Sequence, residues 1–179
     1  MKAQDIIQFW FHEIDRKKWF QSSPEFDQQI RDRFLKTFHQ VQNGSTSQWR
    51  ETPEGRLAEI IVLDQFSRNM FRDKPEAFAA DPLALELAKA AVTAGDDMKL
   101  PVEQRGFLYM PYMHSENADD HIAAMKLFSQ KGLENNYQYE LLHKKIIDRF
   151  GRYPHRNQVL GRKSTPEELE FLKEKNSSF

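Results

Sequence analysis

Three histidines, His114, His143 and His155, are placed where they could move a proton, and the last lies in a strongly cationic stretch. From Arg149 to Pro166 the chain carries Arg149, Arg152, Arg156, Arg162 and Lys163 and no carboxylate, although its formal net charge is -1. Guanidinium forks match the oxygens of a carboxylate or phosphate. Arg152, Arg156 and Asn157 therefore read as ligand-positioning donors, with His155 as the proton carrier. A cationic helix end is the competing reading, since cations favour the negative terminus of a helix. It accounts for Arg149 and Arg152 but not for His155, Arg156 and Asn157, which lie past the break made by Gly151 and Pro154.

A second polar set interrupts an apolar run: Asp64, Gln65, Arg68, Asn69 and Arg72. Asp64 and Arg68 are four residues apart with the acid first, so they can pair along a helix. They are either a structural ion pair that sets register or part of a cleft in which arginines hold an anion. His143 falls in the middle of an apolar helical face with Tyr139, Leu142, Ile146 and Ile147 and should point inward. It is then a hydrogen-bonded core histidine or a base. His114 and Glu116 sit at a helix junction, where Ser115 or Asn117 can cap the following helix. His114, Glu116, His143 and His155 match no metal-ligand spacing such as H-E-x-x-H, so no metal or other cofactor is expected. With no cysteine in the chain and no motif around Ser67, Ser115, Ser129 or Ser164, a nucleophile is not legible either.

The elements that must position these groups are helices. Pro24 to Val41 places Phe26, Ile30, Phe34, Leu35, Phe38 and Val41 at three- and four-residue spacings. From Pro53 to Phe71 almost no polar face remains, which marks a central helix. Asp81-Pro82 reads as an N-cap and first helical residue, opening a helix that runs to Ala94. Another helix runs from Pro101 towards Met113, with a kink or break at Pro111. Asn117 to Gln130 and Leu133 to Phe150, joined across Lys131-Gly132, should be antiparallel neighbours. Thr165-Pro166-Glu167-Glu168 is a capping box opening the last helix. No run alternates as a strand would. The expectation is a single all-α domain spanning residues 1–179, of about eight helices.

Composition narrows the class. Hydrophobic residues are only 39% of the chain, yet there are 14 phenylalanines, so burial must come from a few large rings. No apolar run approaches the ~20 residues that cross a bilayer, and the first ten residues lack a leader pattern. A near-neutral net charge does not suit nucleic-acid binding, which rests on many cations. A cytoplasmic protein with no membrane partner is expected.

Several blocks carry a family resemblance: I-I-Q-F-W-F-H-E near the start, G-R-L-A-E-I-I-V-L-D-Q-F-S-R-N-M-F-R from Gly55, A-F-A-A-D-P-L-A-L, P-Y-M-H-S-E, and F-G-R-Y-P-H-R-N-Q-V-L-G-R-K-S-T-P-E-E. In this order they resemble a mainly bacterial family, the domain of unknown function nine two four. The resemblance implies antiparallel helical hairpins similar to the right-handed superhelices of tetratricopeptide (TPR) proteins, and it implies no activity. Against the family pattern, Ser67 stands where a proline is expected, which should leave the central helix straighter, and Glu59 replaces an aliphatic residue.

The functional expectation is a cleft lined by Asp64, Gln65, Arg68, Asn69, His114, Arg152, Arg156 and Asn157 that binds a small anionic ligand or a peptide carboxylate, with Arg156 facing solvent. The alternatives are a hydrolase using His155 or His143, with Glu116, as acid-base groups, and a purely structural interaction module.

Overall fold

The computed structural model describes residues 1–178. Its eight helices, joined by single turns of helix, are α1 (Ala3–Gln8, continued by the π-wound Phe9–Glu13), α2 (Pro24–Gln42), α3, α4 (Asp81–Thr93), α5 (Val102–His114), α6 (Ala118–Phe128), α7 (Glu134–Phe150) and α8 (Pro166–Phe171). The central α3 is built from Pro53–Ile61, a π-wound segment Val62–Phe66, and Ser67–Met70. No strand occurs among the described residues.

Local chemistry accounts for the boundaries. Ser23 and Thr52 cap α2 and α3 through their hydroxyls, each with proline at the next position, where its missing N-H is not needed. Gly55 lies against the turn before α3, where a Cβ would stand 1.8 Å from the Trp49 carbonyl oxygen, so only glycine fits. Gly151 ends α7 in the left-handed conformation, φ 67°, and Thr165 with Glu168 forms the capping box of α8. Pro111 does not break α5, which runs through it to His114.

The main core is centred on α3, where Leu57, Ala58, Ile60, Ile61, Val62, Leu63 and Phe66 are wholly buried. Phe9, Trp10, Phe26, Phe34 and Phe66 pack ring to ring around it, and such pairs add to the area term. Ile146, Ile147, Tyr153 and Phe171 form a second, smaller core at the C-terminal end. Polar side chains link the two cores.

Two local expectations change. The central helix continues through Ser67, but the turn before it is wide rather than straight α-helix: Val62–Phe66 is π-wound. The carbonyl of Asp64 accepts side-chain donors there, from Ser67 Oγ at 3.2 Å and Arg68 Nη1 at 2.7 Å. Such wide turns redirect side chains. Asp81 does not cap α4. The residue before the helix is Ala80, without a side-chain cap, because the Asp81 carboxylate is taken by two guanidinium groups. Glu59, the other departure, is fully buried and held by Thr46 Oγ1 and Arg50 Nε, the latter at 2.6 Å.

Candidate functional site

The wide turn of α3 aims Asp64 at the C-terminal end of α5. Its carboxylate, 1% exposed, accepts from His114 Nδ1 at 2.7 Å and Gln65 Nε2 at 2.6 Å, with Arg68 Nη1 at 3.3 Å. Burial pushes the Asp64 carboxyl up, but His114 and Arg68 more than reverse that and hold it below the usual carboxylate range. Arg68 also grips Asp81 through both oxygens at 2.9 Å, a bidentate pair. Burial opposes its charge, and the two carboxylates raise its pKa despite that.

Arg156 meets the same Asp81 from the C-terminal turn, but less completely. Its Nη2 donates to the His114 carbonyl at 2.9 Å, and its Nη1 reaches Asp81 at only 3.5 Å. The guanidinium lies between the rings of Phe78 and Tyr153, 4.6 and 4.7 Å from their centres, and its buried Nε has no acceptor among the described residues. Burial, then the like charge of Arg68, pulls its pKa down against Asp81 and Glu116. Arg156 is 7% exposed, so it does not line solvent. The turn Pro154–Arg156 folds it inward.

The three histidines do come together. The His114 and His143 ring centres are 6.4 Å apart, and Tyr153 lies 5.7 Å from His143 and 5.5 Å from His155. His143 Nδ1 donates to the Tyr139 carbonyl. Burial drives the pKa of His143 down to about 3 and that of His155 down to about 4. It also lowers that of His114, against the attraction of Asp64. Burial thus favours the neutral form of the His114 imidazole. Because Nδ1 donates to a carboxylate, its Nε2 is left as an acceptor, and no described residue donates to it.

Arg152, Asn157 and Glu116 occupy a separate, saturated network. Arg152 forks onto Glu168 at 2.7 and 2.9 Å, and Arg162 onto Glu116 at 2.7 and 2.9 Å. Asn157, 1% exposed, donates to Glu168 and Ser164 and accepts from Arg162. Glu116 also receives the Tyr153 backbone N-H at 2.8 Å. This clasp ties α8 and its leading loop to the end of α5. Asn69 lies elsewhere. With Arg72 it grips Asp27 of α2, beside a cavity of about 320 Å³ that Gln28 and Arg31 also line.

Asp81, Phe78, Tyr153, His121 and Glu140 complete the setting and were not read as site residues in the sequence. His121 and Glu140 are both fully buried and bonded at 2.7 Å, and burial raises the Glu140 carboxyl. His121 Nε2 donates to the Ser115 carbonyl at 2.8 Å, and its Nδ1 faces Glu140 Oε1. An apolar position on α6 was the only available signal for His121. For Asp81 the signal pointed to a cap.

A family model described as a bacterial protein of unknown function (DUF924) matches residues 6–176. A solved structure of a protein of unknown function from Agrobacterium tumefaciens is similar, with 36% identity, 96% of each chain covered and a TM-score of 0.91. No curated protein matches the chain.

Proposed function

The chain belongs to this bacterial family of unknown function, and we propose that it binds a small anionic molecule, or the carboxylate end of a peptide, against Arg156, Arg68 and His114. The observation that carries this reading is the incomplete pairing of Arg156. A buried cation normally has a close, fully hydrogen-bonded counter-ion. Arg156 instead shares one carboxylate with Arg68 and holds it by the longer contact. The two flanking rings stabilise the charge in part. An oxyanion on Nη1 would supply a closer acceptor than Asp81 does at 3.5 Å, and the neighbouring side chains of Arg68 and Asp81 are 22% and 16% exposed. Gln65 supports this indirectly, by keeping Asp64 ionised and His114 oriented.

Thermal-shift measurement with sulfate, phosphate, small mono- and dicarboxylates, and peptides with free or amidated C-termini tests the reading. At least one anion should raise the melting temperature beyond a chloride control of equal ionic strength, by the mass-action term that grows with ligand over Kd. Arg156→Lys, which keeps the charge but loses the fork, should lose most of that shift. The reading fails if every anion behaves as chloride does, or if Arg156→Lys responds as the parent chain.

A further inference from the structure

His114 has a geometry that simple anion binding does not need. Its Nδ1 is fixed on a buried carboxylate, its backbone carbonyl is held by Arg156, and its side chain is 16% exposed. The ring is thus held with Nε2 as an acceptor to which no described residue donates. An anion placed against both Arg156 and this ring would be repelled by that lone pair.

Charge bookkeeping around the ring sharpens the conflict. Among the described residues, the groups facing His114 are Asp64 and Arg68 from α3, Asp81 from α4, His143 from α7, and His155 and Arg156 from the C-terminal turn. The two carboxylates and two guanidinium groups of this set sum to zero, and burial disfavours charge on the histidines. An added anion leaves the site net negative in surroundings of low dielectric, where uncompensated charge is costly.

We propose that anion binding at this site is coupled to the uptake of one proton by His114, on Nε2. The inference rests on the anion-binding reading above. The proton comes from solvent and adds to the lone pair of Nε2, and no other bond is made or broken. Protonation restores the charge balance, turns Nε2 from acceptor into donor towards the anion, and places an imidazolium on Asp64, which already holds Nδ1. Asp64 is then a positioning residue. The ligand class follows: an oxyanion that accepts from the Arg156 guanidinium with one oxygen and from an imidazolium N-H with another. Burial already disfavours the imidazolium of His114, which leaves Nε2 able to take up a proton when an anion arrives.

Titration calorimetry with sodium sulfate, and separately with sodium acetate, tests this, because neither probe takes up a proton near neutral pH. Run in two buffers of different ionisation enthalpy, it should report close to one proton taken up per anion. Affinity should weaken as pH rises from about 6 to about 8, by up to about tenfold per unit. His114→Gln should bind more weakly and take up none. Should that variant not fold, long-range proton–nitrogen spectra of the intact chain decide: saturating sulfate should move His114 Nε2 from an unprotonated to a protonated nitrogen shift. Binding without proton uptake, or a Nε2 shift that does not move, overturns the coupling and leaves the anion reading standing. Failure of sulfate, acetate and every other anion of the thermal-shift set to bind at any of these pH values overturns both.

Discussion

Arg152, Asn157 and Arg162 on one side, and His155 and Arg156 on the other, come from one continuous block, yet they build regions of different kinds. In the clasp every carboxylate is gripped by a fork: Glu168 by Arg152, and Glu116 by Arg162. In the inner cluster, two guanidinium groups share Asp81 and three imidazoles are stripped of charge by burial. Saturated ion pairs hold the chain in place and leave nothing to offer a ligand. Incomplete pairing in a partly open seam is where a ligand adds most.

The difference can be broken most directly at Asp64. Asp64→Ala removes the acceptor of His114, Gln65 and Arg68 together and leaves a buried guanidinium under-compensated, so it should cost about 3–5 kcal/mol of unfolding free energy. Urea denaturation measures it. A loss no larger than that of an exposed ion pair would show that water reaches the inner cluster, and the contrast would collapse.

The two regions should also fail in different pH windows. His143 and His155 have folded pKa values below their unfolded ones, about 3 and about 4. Below an unfolded value of about 6.5 the unfolded chain binds protons that the folded site refuses, so stability falls by up to about 1.4 kcal/mol per pH unit for each group. Glu168, drawn down to about 2 chiefly by the hydrogen bond from Arg152, keeps its contribution until the pH drops below the ordinary glutamate value of about 4.3. Its contribution is then lost as the pH falls towards the folded value. Denaturant unfolding across pH should therefore show His143→Gln flattening the fall that begins near pH 6.5, and Glu168→Gln altering only the part below about pH 4.3. An effect of Glu168→Gln between about pH 6.5 and 5 would contradict the division.

Arg149 should give the smallest effect. It pairs with Glu167 at 2.9 Å, but the side chains are 44% and 63% exposed. Arg149→Gln should change unfolding free energy by at most about 1 kcal/mol. A larger loss would mean that surface pairs, rather than the clasp, dock α8.

Much of this was legible in residue order. Helical spacing of the phenylalanines, the Thr165 cap, the helix stop at Gly151 and the inward face of His143 are local or periodic properties, decided within a turn or two of chain. Which polar groups share a partner was not legible. Arg156 and Asn157 are adjacent, yet one enters a seam between two cores and the other a saturated clasp. Asn69, one residue from Arg68, faces α2 because one helical step turns a side chain by about 100°. Asp81 carries the local signature of a cap and serves instead as the counter-ion of residues 13 and 75 positions away. The sequence by itself determined an all-helical chain of about eight helices and their apolar faces, since those depend on backbone hydrogen bonds and spacing over a few residues. The choice of partner for each buried charge was made only by the tertiary structure, because long-range pairing depends on which surfaces pack together once those helices exist.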